Sequence, residues 1–353
     1  METTEMDRGV MPPPRPRSGC MKSGCLVMGG AVLGVVGFIV MAILGKGCIG
    51  NAKFSTAGLS VSSAGEDESP NLEEYWSSGH GEKKVVCVSI NGMIHFGKRS
   101  QWGSEDNTTF ALRAIRRATE DESVDGLLLD IDSGGGSVTA SDILYQAVKN
   151  FKAKKKGRKV VTIMGDVAAS GAYYIALASD QIYAHPTTLT GSIGVLLQSV
   201  NIKGLAEKIG ISDVTVKSGV NKDLLNPFHD VSGEQFEMLH RVIDVLYNRF
   251  VGLVAENRKL AKENVLPLAD GRVFAAPDAL EKKLIDQIGY ASDAKQKLAE
   301  LLDEEDVKVY RYRQKDSLLE LFFSASAGGI SRDLRSLLRG ESEEPKVLYR
   351  WNP

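Results

Sequence analysis

A chain of 353 residues with 43 Lys and Arg against 45 Asp and Glu, net charge −2, lacks the basic excess of a nucleic-acid surface and the acidic excess of a disordered tail. It has room for about two average domains, or for one of about 250 residues with appendages. Its four cysteines give no disulfide framework and no zinc spacing, because Cys20, Cys25 and Cys48 lie in or beside an N-terminal apolar segment and Cys87 stands apart in the region beyond residue 50.

In chain order, residues 1–24 are polar and proline-bearing, with Arg8, Arg15, Arg17 and Lys22, and read as a disordered N-terminus. Cys25 to Leu44, CLVMGGAVLGVVGFIVMAIL, carries no charge and has the roughly twenty residues a helix needs to cross a bilayer. A cleaved signal peptide would have a shorter apolar region ending at an A-x-A-like site, which is missing after Leu44. A retained transmembrane helix over 25–44 is therefore expected. Four basic residues precede the span, and the nearest after it are Lys46 and Lys53; the positive-inside rule puts the N-terminus in the cytoplasm and the bulk of the chain outside. Cys48 follows Gly45-Lys46-Gly47, too polar for a lipid-attachment box.

Residues 45–82 turn to Ser, Gly, Glu and Asp and read as a linker, with a folded domain over 83–315 and a C-terminal tail over 316–353. KVVCVSI from Lys84 predicts a strand in which Cys87 is a small core residue. Asn107-Thr108-Thr109 opens a helix with Phe110, Ala111, Ile115 and Ala118 on one face. GLLLDID, Gly126 to Asp132, is a run of the kind buried on both faces of a parallel sheet. Ser133-Gly134-Gly135-Gly136 leads to a second helix, and Lys152 to Lys159, five lysines and an arginine, reads as its solvated end. Lys159 to Met164 predicts another strand. Downstream come a helical turn near Leu205 to Ile209, a short strand over Asp213 to Val216, a loop over Lys217 to Asp223, and a long amphipathic helix from Gly233 to Arg258. Ala269 to Tyr290 reads as turn, short strand and helix. Such alternation argues for an α/β layer architecture with a largely parallel sheet.

One stretch carries chemistry. After the strand at Lys159 to Met164, the small residues Ala168-Ala169-Ser170-Gly171-Ala172 precede a helical pattern through Tyr173, Tyr174, Ala176 and Leu177. A serine at a strand-to-helix turn is accessible to other atoms and faces unpaired N–H groups, which suits a nucleophile. It equally suits an N-cap, and both readings stand open on this stretch alone. His80, His95, His185, His229 and His240 are scattered, and none is recommended as a base by its position. A lysine serves instead if burial lowers its pKa from about 10.4 towards neutrality. Gly134-Gly135-Gly136, ending a strand and preceding a helix, can turn bare N–H groups towards a developing oxyanion, with the Gly171 N–H as a second donor. A dinucleotide fingerprint would need a glycine where Thr139 stands, a phosphate-binding Walker loop would need Gly-Lys-Ser/Thr, and a plain tight turn is the remaining alternative.

DIDSGGGSV, GDVAASGAYYIALASDQIYAHPTTLTGSIGV, VKSGVNKDLLNP and ADGRVFAAPDALEKKLIDQIG, in that order, resemble the signal peptide peptidase A (protease IV) family of membrane-anchored serine peptidases in its short form, over about Lys84 to Leu302. The resemblance implies a crotonase/Clp-protease-like layered α/β fold of repeated ββα units behind the transmembrane helix. It implies Ser170 as nucleophile, Lys222 as general base, Ser192 as the hydroxyl that orients the lysine, and Gly135 or Gly136 as oxyanion donor. It also implies a ring-like homo-oligomer in which a neighbouring protomer supplies the lysine, with peptides such as signal-peptide remnants as substrates. The family usually reads N-S-P-G-G-G where this chain has Asp132-Ser133-Gly134-Gly135-Gly136-Ser137, so the turn loses its proline.

Asp223, beside Lys222, would raise the amine's pKa if the two charges faced each other. Asp223 is therefore expected to point away or to be engaged elsewhere, and Lys217 and Lys203 to be surface charges. The leading reading is a membrane-tethered Ser/Lys endopeptidase working through an acyl-enzyme, with Ala168 and Ala169 leaving room for small or apolar substrate side chains. The alternatives are a crotonase-like enzyme binding an acyl-CoA thioester and an inert membrane scaffold. The partners expected are peptides, the lipid bilayer and further copies of the chain, with no nucleic acid, metal or organic cofactor.

Overall fold

Short apolar runs rich in β-branched residues form the strands at the centre of this protein. The structure, a computed structural model, describes residues 72–97, 106–314 and 347–350. The expected transmembrane helix and the N-terminal segment lie outside the described residues.

In chain order the elements are β1 (Leu72–Ser78), β2 (Lys84–Asn91), α1 (Asn107–Glu120), β3 (Val124–Ser133), β4 (Gly135–Ser137), α2 (Val138–Lys154), β5 (Lys159–Ala169), α3 (Gly171–Ala176), β6 (Gln181–Ala184) and β7 (Leu189–Gly191). Then follow β8 (Leu196–Leu197), α4 (Lys203–Ile209), α5 (Gly233–Arg258), α6 (Lys262–Val265), β9 (Val273–Ala275), α7 (Ala276–Glu281), β10 (Gln287–Ile288), α8 (Ala291–Leu301), β11 (Lys308–Gln314) and β12 (Val347–Arg350). The main sheet runs β1-β11-β2-β3-β5-β6-β10, with β7 paired to β5 and to β9. Its centre, β2 to β10, is parallel, and β1 joins β11 antiparallel at one edge. A second sheet has the order β4-β12-β8.

The parallel strands bury both faces, and their alternation sorts side chains into two cores. Val86, Val88 and Ile90 of β2, with Leu127, Leu129 and Ile131 of β3, pack under α1, α2 and α3 in the larger core. The intervening Val85, Cys87, Leu128, Val161 and Ile163 pack against Ala294, Leu298 and Ala299 of α8. This is a mixed α/β fold with helices on both faces of the sheet. Burial pushes the Cys87 thiol up to about 11, as befits a core residue without acid–base work.

The helix termini follow from local chemistry. Asp106 Oδ1 accepts the Thr109 N–H at 2.9 Å and caps α1, which begins at Asn107 as expected. Ser232 and Gln235 form a reciprocal capping box that starts α5.

Three expectations are corrected. Leu72–Ser78, placed in the linker by composition, is strand β1, because β11 offers it an edge more than two hundred residues away in sequence. Asp213 to Val216 is not a strand: Val214 and Val216 are 87% and 98% exposed, with no sheet edge beside them among the described residues. The basic run after α2 is not wholly solvated, since Arg158 is 4% exposed. Its guanidinium donates to the carbonyls of Val124 (3.0 Å), Thr119 (2.9 Å), Phe151 (3.3 Å) and Asp121 (2.7 Å) and so closes the turn between α2 and β5.

Candidate active site

The C-terminal end of β5 is gripped from both sides. Ala168 pairs with Ser133 of β3, while Ala169 pairs with Gly191 of β7. Thr190 Oγ1 donates to the Ala168 carbonyl at 2.6 Å, and Thr188 Oγ1 to that of Gly165 at 2.7 Å. The next N–H, that of Ser170, donates to the Gly191 carbonyl at 2.8 Å. The chain then turns sharply into α3.

That turn forces Ser170 to φ 57° and ψ −117°, a region in which a residue with a Cβ is strained by about 1–3 kcal/mol. Ser170 occupies the position before α3 but makes no side-chain capping bond. The cap reading therefore fails. The residue is 1% exposed, and its hydroxyl makes no hydrogen bond among the described residues. The Gly171 N–H, first in α3, has no intrahelical acceptor.

The glycine strand lies alongside. Ser133 Oγ accepts the Gly135 N–H at 3.0 Å, a local side-chain turn that closes this corner without the proline of the N-S-P-G-G-G pattern. The Gly135 N–H is thereby engaged. Ile94 brackets Gly136: its N–H donates to the Gly135 carbonyl at 3.0 Å, and its carbonyl accepts the Ser137 N–H at 2.7 Å. In this parallel bridge the polar groups of Gly136 itself point to the opposite side. A Cβ on Gly136 would lie 2.1 Å from the Ile94 carbonyl oxygen, so only glycine fits. Of the two glycines expected as oxyanion donors, Gly136 has the outward-facing N–H.

Ser192 follows Gly191 on the far side of β5. It is 5% exposed at φ 49°, with its N–H donated to the Arg272 carbonyl at 2.8 Å. Ser170, Ser192, Gly136 and Gly171 thus collect at the C-terminal ends of β3, β5 and β7. Lys222 does not join them in a single chain. It sits exposed in the loop 217–223, with no side-chain hydrogen bond or ion pair among the described residues.

Its neighbours are occupied. Lys217 Nζ lies 2.7 Å from Asp223 Oδ1, and His229 Nδ1 lies 3.4 Å from Asp223 Oδ2. The hydrogen bond from Lys217 holds the Asp223 carboxyl below its usual range. Asp223 is therefore engaged away from Lys222, as expected, and Lys203 is paired to Asp230 at 2.6 Å. Around this loop a broad apolar surface is exposed: Val200, Ile211, Val214, Val216, Val220 and Val245 all face outward.

A polar junction ties α3, the helix that follows Ser170, to α5. The Tyr174 hydroxyl donates to Asp142 Oδ1 at 2.5 Å, and Arg249 of α5 donates to the same carboxylate and, from Nε, to the Tyr174 oxygen at 3.0 Å. Sequence reasoning did not single out this trio, nor Ser133, Thr188 and Thr190. The only signal was a cluster of hydroxyls around the small-residue stretch.

Comparison with known proteins bears on the chemistry. The model of peptidase family S49 matches residues 152–305. A protein named signal peptide peptidase SppA from Enterococcus faecium is 37% identical over 243 residues, covering 68% of this chain and 70% of its own. Protease 4 of Haemophilus influenzae is 30% identical over 275 residues, 76% of this chain and 42% of its own. A mutant ClpP1 from Listeria monocytogenes superposes with a TM-score of 0.38 at 17% identity, over 59% of this chain and 93% of that one. The acyl-CoA and scaffold readings fall away, and the chain belongs to peptidase family S49, with the signal peptide peptidases A and proteases IV, as a serine peptidase.

Proposed function

We propose that the protein is a membrane-anchored endopeptidase with a Ser/Lys dyad, completed when a second copy brings its Lys222 to Ser170. Ser170 Oγ attacks the peptide carbonyl, and the Lys222 amine takes the hydroxyl proton and returns it to the leaving amine. The N–H groups of Gly136 and Gly171 stabilise the tetrahedral oxyanion, and water then releases the acyl group. Ser192 orients the amine. The substrates are peptides such as signal-peptide remnants, taken up outside the cytoplasm by a Clp-protease-like layered domain tethered by residues 25–44.

The observation that carries this reading is the pairing of opposites. A strained, buried serine with no base bonded to it among the described residues coexists with a lysine that has no ion pair among them, on a loop surrounded by exposed valines. A surface of that kind calls for a protein partner. Enclosure by the partner would also supply the dry surroundings that disfavour the charged form of an amine.

The test uses a serine-reactive acylating probe on wild type, Ser170→Ala and Lys222→Ala chains, alone and mixed. Both variants alone are expected to be silent. Dissociating and reassociating them together is expected to restore labelling on the Lys222→Ala chain, whose Ser170 meets an intact Lys222 from its neighbour. Undiminished labelling of Lys222→Ala alone would remove the lysine from the mechanism; mixtures that stay silent would confine the dyad to one chain.

A further inference from the structure

The segment between α4 and α5 is largely exposed, yet its charges are gathered around one carboxylate. Lys217 Nζ lies 2.7 Å from Asp223 Oδ1 and 3.5 Å from the Val220 carbonyl, so the side chain that opens the loop 217–223 closes it onto its last residue. Inside that ring the Lys222 N–H donates to the Gly219 carbonyl at 3.1 Å, and Gln235 in the first turn of α5 donates to Asn221 Oδ1 at 3.3 Å. The backbone around Lys222 is thus tied, while the residue itself is exposed. Only 11% of the Asp223 side chain is exposed, and its Oδ2 is buried without a hydrogen bond among the described residues. That oxygen faces His229 Nδ1 at 3.4 Å, and His229 Nε2 lies 3.4 Å from Asp213 Oδ2. Asp213 in turn accepts the Thr215 hydroxyl at 2.7 Å and the Asn226 amide at 3.1 Å, while Asp230 is taken by Lys203 at 2.6 Å. The charged or titratable groups that face Asp223 are therefore Lys217 and His229, with Asp213 behind the imidazole.

We propose that Lys217 is a positioning residue for the Lys222 base, closing the loop through Asp223 and cancelling the carboxylate charge next to the Lys222 amine; the assignment rests on the Ser/Lys reading above. A surface ion pair contributes little to stability, so holding the fold is a weak reason for this one. Its place is a stronger reason, because the carboxylate belongs to the residue after the proposed base. Left alone, that carboxylate favours the ammonium form, which has no lone pair to take a proton from Ser170. Paired with Lys217 it presents no net charge. The cancellation matters more once a second copy covers the loop, since a charge acts more strongly as water is excluded. Lys217 thus has two effects on one amine: it fixes the backbone from which the side chain reaches out, and it keeps a neighbouring anion from holding the amine's proton.

The experiment compares full-length chains purified in detergent: wild type, Lys217→Met, Asp223→Asn, the double variant Lys217→Met/Asp223→Asn, and Lys217→Arg. Trace labelling with acetic anhydride across the alkaline range, read by mass spectrometry on the peptide that carries Lys222, follows the titration of that amine without calling on serine chemistry. In Lys217→Met the bared carboxylate is expected to move the midpoint up by about half to one pH unit. In Asp223→Asn the freed Lys217 cation is expected to move it down, whereas the double variant returns close to wild type and Lys217→Arg stays there. A residue that merely stapled the loop would leave all five midpoints alike, and the double variant would be no better than either single one. The second readout is the pH profile of acylation by a serine-reactive probe, whose rising limb is expected to shift with the midpoint and so to slow Lys217→Met about three- to tenfold near neutrality. Equal midpoints in all five chains, or a double variant displaced as far as Lys217→Met, overturn the proposal. If the midpoints move as stated while the acylation profile stays where it is, Lys217 still governs the Lys222 amine and the Ser/Lys reading falls.

Discussion

Gly136→Ala is the sharpest test of how the glycine strand works. The added methyl would sit 2.1 Å from the Ile94 carbonyl oxygen, 2.7 Å from its nitrogen and 2.8 Å from its carbonyl carbon. All three are backbone atoms, held by the bonds to Gly135 and Ser137, so no side-chain rotation can relieve the clash. A separation of about 3.4 Å requires β4 to move away by about 1 Å, at an overpacking cost of about 1–3 kcal/mol. For a domain of this size that lowers the melting temperature by roughly 2–10 °C. On the proposed mechanism the same movement withdraws the Gly136 N–H from the oxyanion, and loss of one oxyanion donor costs about a hundred- to a thousandfold in rate. The readout is the second-order rate of acylation by a serine-reactive probe, measured well below the new melting temperature. Gly252→Ala serves as a control, because a Cβ there meets nothing within 4 Å. A Gly136→Ala protein acylated within threefold of wild type would refute the assignment of Gly136 as an oxyanion donor.

Three further outcomes are expected. Ser170→Gly removes the strain of a side chain at φ 57° and should raise the melting temperature, by about 1 kcal/mol of stability, while abolishing acylation; a loss of stability in calorimetry would contradict the strain. Arg158→Met takes a donor away from each of four backbone carbonyls and should cost about 3 kcal/mol in urea unfolding, with less than 1 kcal/mol refuting its role as a buried clasp. Burial would raise the Asp121 carboxyl, but hydrogen bonds from Lys84 and Ser123 outweigh it and hold the group at about 2. A carboxyl depressed below its unfolded value of about 3.9 contributes stability above that pH and loses it as the pH falls towards 2. After allowance for solvent screening this is about 1 kcal/mol, and Asp121→Asn should flatten the unfolding free energy between pH 4 and 2.

The elements most legible in the sequence were those whose causes are local. The helix Gly233–Arg258 has the bounds expected of it, because Ser232, Gln235 and a long apolar stripe define it without outside help. The strand leading to Ser170 was equally plain, since Val160 to Met164 can only be buried. What remained hidden depends on partners far away in sequence. Leu72–Ser78 is polar enough to pass for linker until β11 gives it an edge, and Val347–Arg350 is a strand only because β4 and β8 flank it. Within the site, the small residues announced the turn at Ser170. Its backbone angle, the tie from Ser133 to Gly135 and the bracket around Gly136 arise from the register of β3, β5 and β7, which no run of residues displays. The Lys217–Asp223 pair was anticipated only in outline, from the electrostatic requirement on Lys222.

The junction of Asp142, Tyr174 and Arg249 gives α5 a rigid grip on the first turn after Ser170. The same helix begins ten residues beyond the loop that ends at Asp223, and Gln235 in its first turn contacts Asn221 of that loop at 3.3 Å. With the dyad as proposed, one rod would have its head beside the lysine lent to a neighbour and its shaft clamped, through Tyr174, to the helix that follows Ser170. Joining of subunits would then be a mechanical event felt at the attacking atom, with lending a base and aiming a nucleophile as two ends of a single lever.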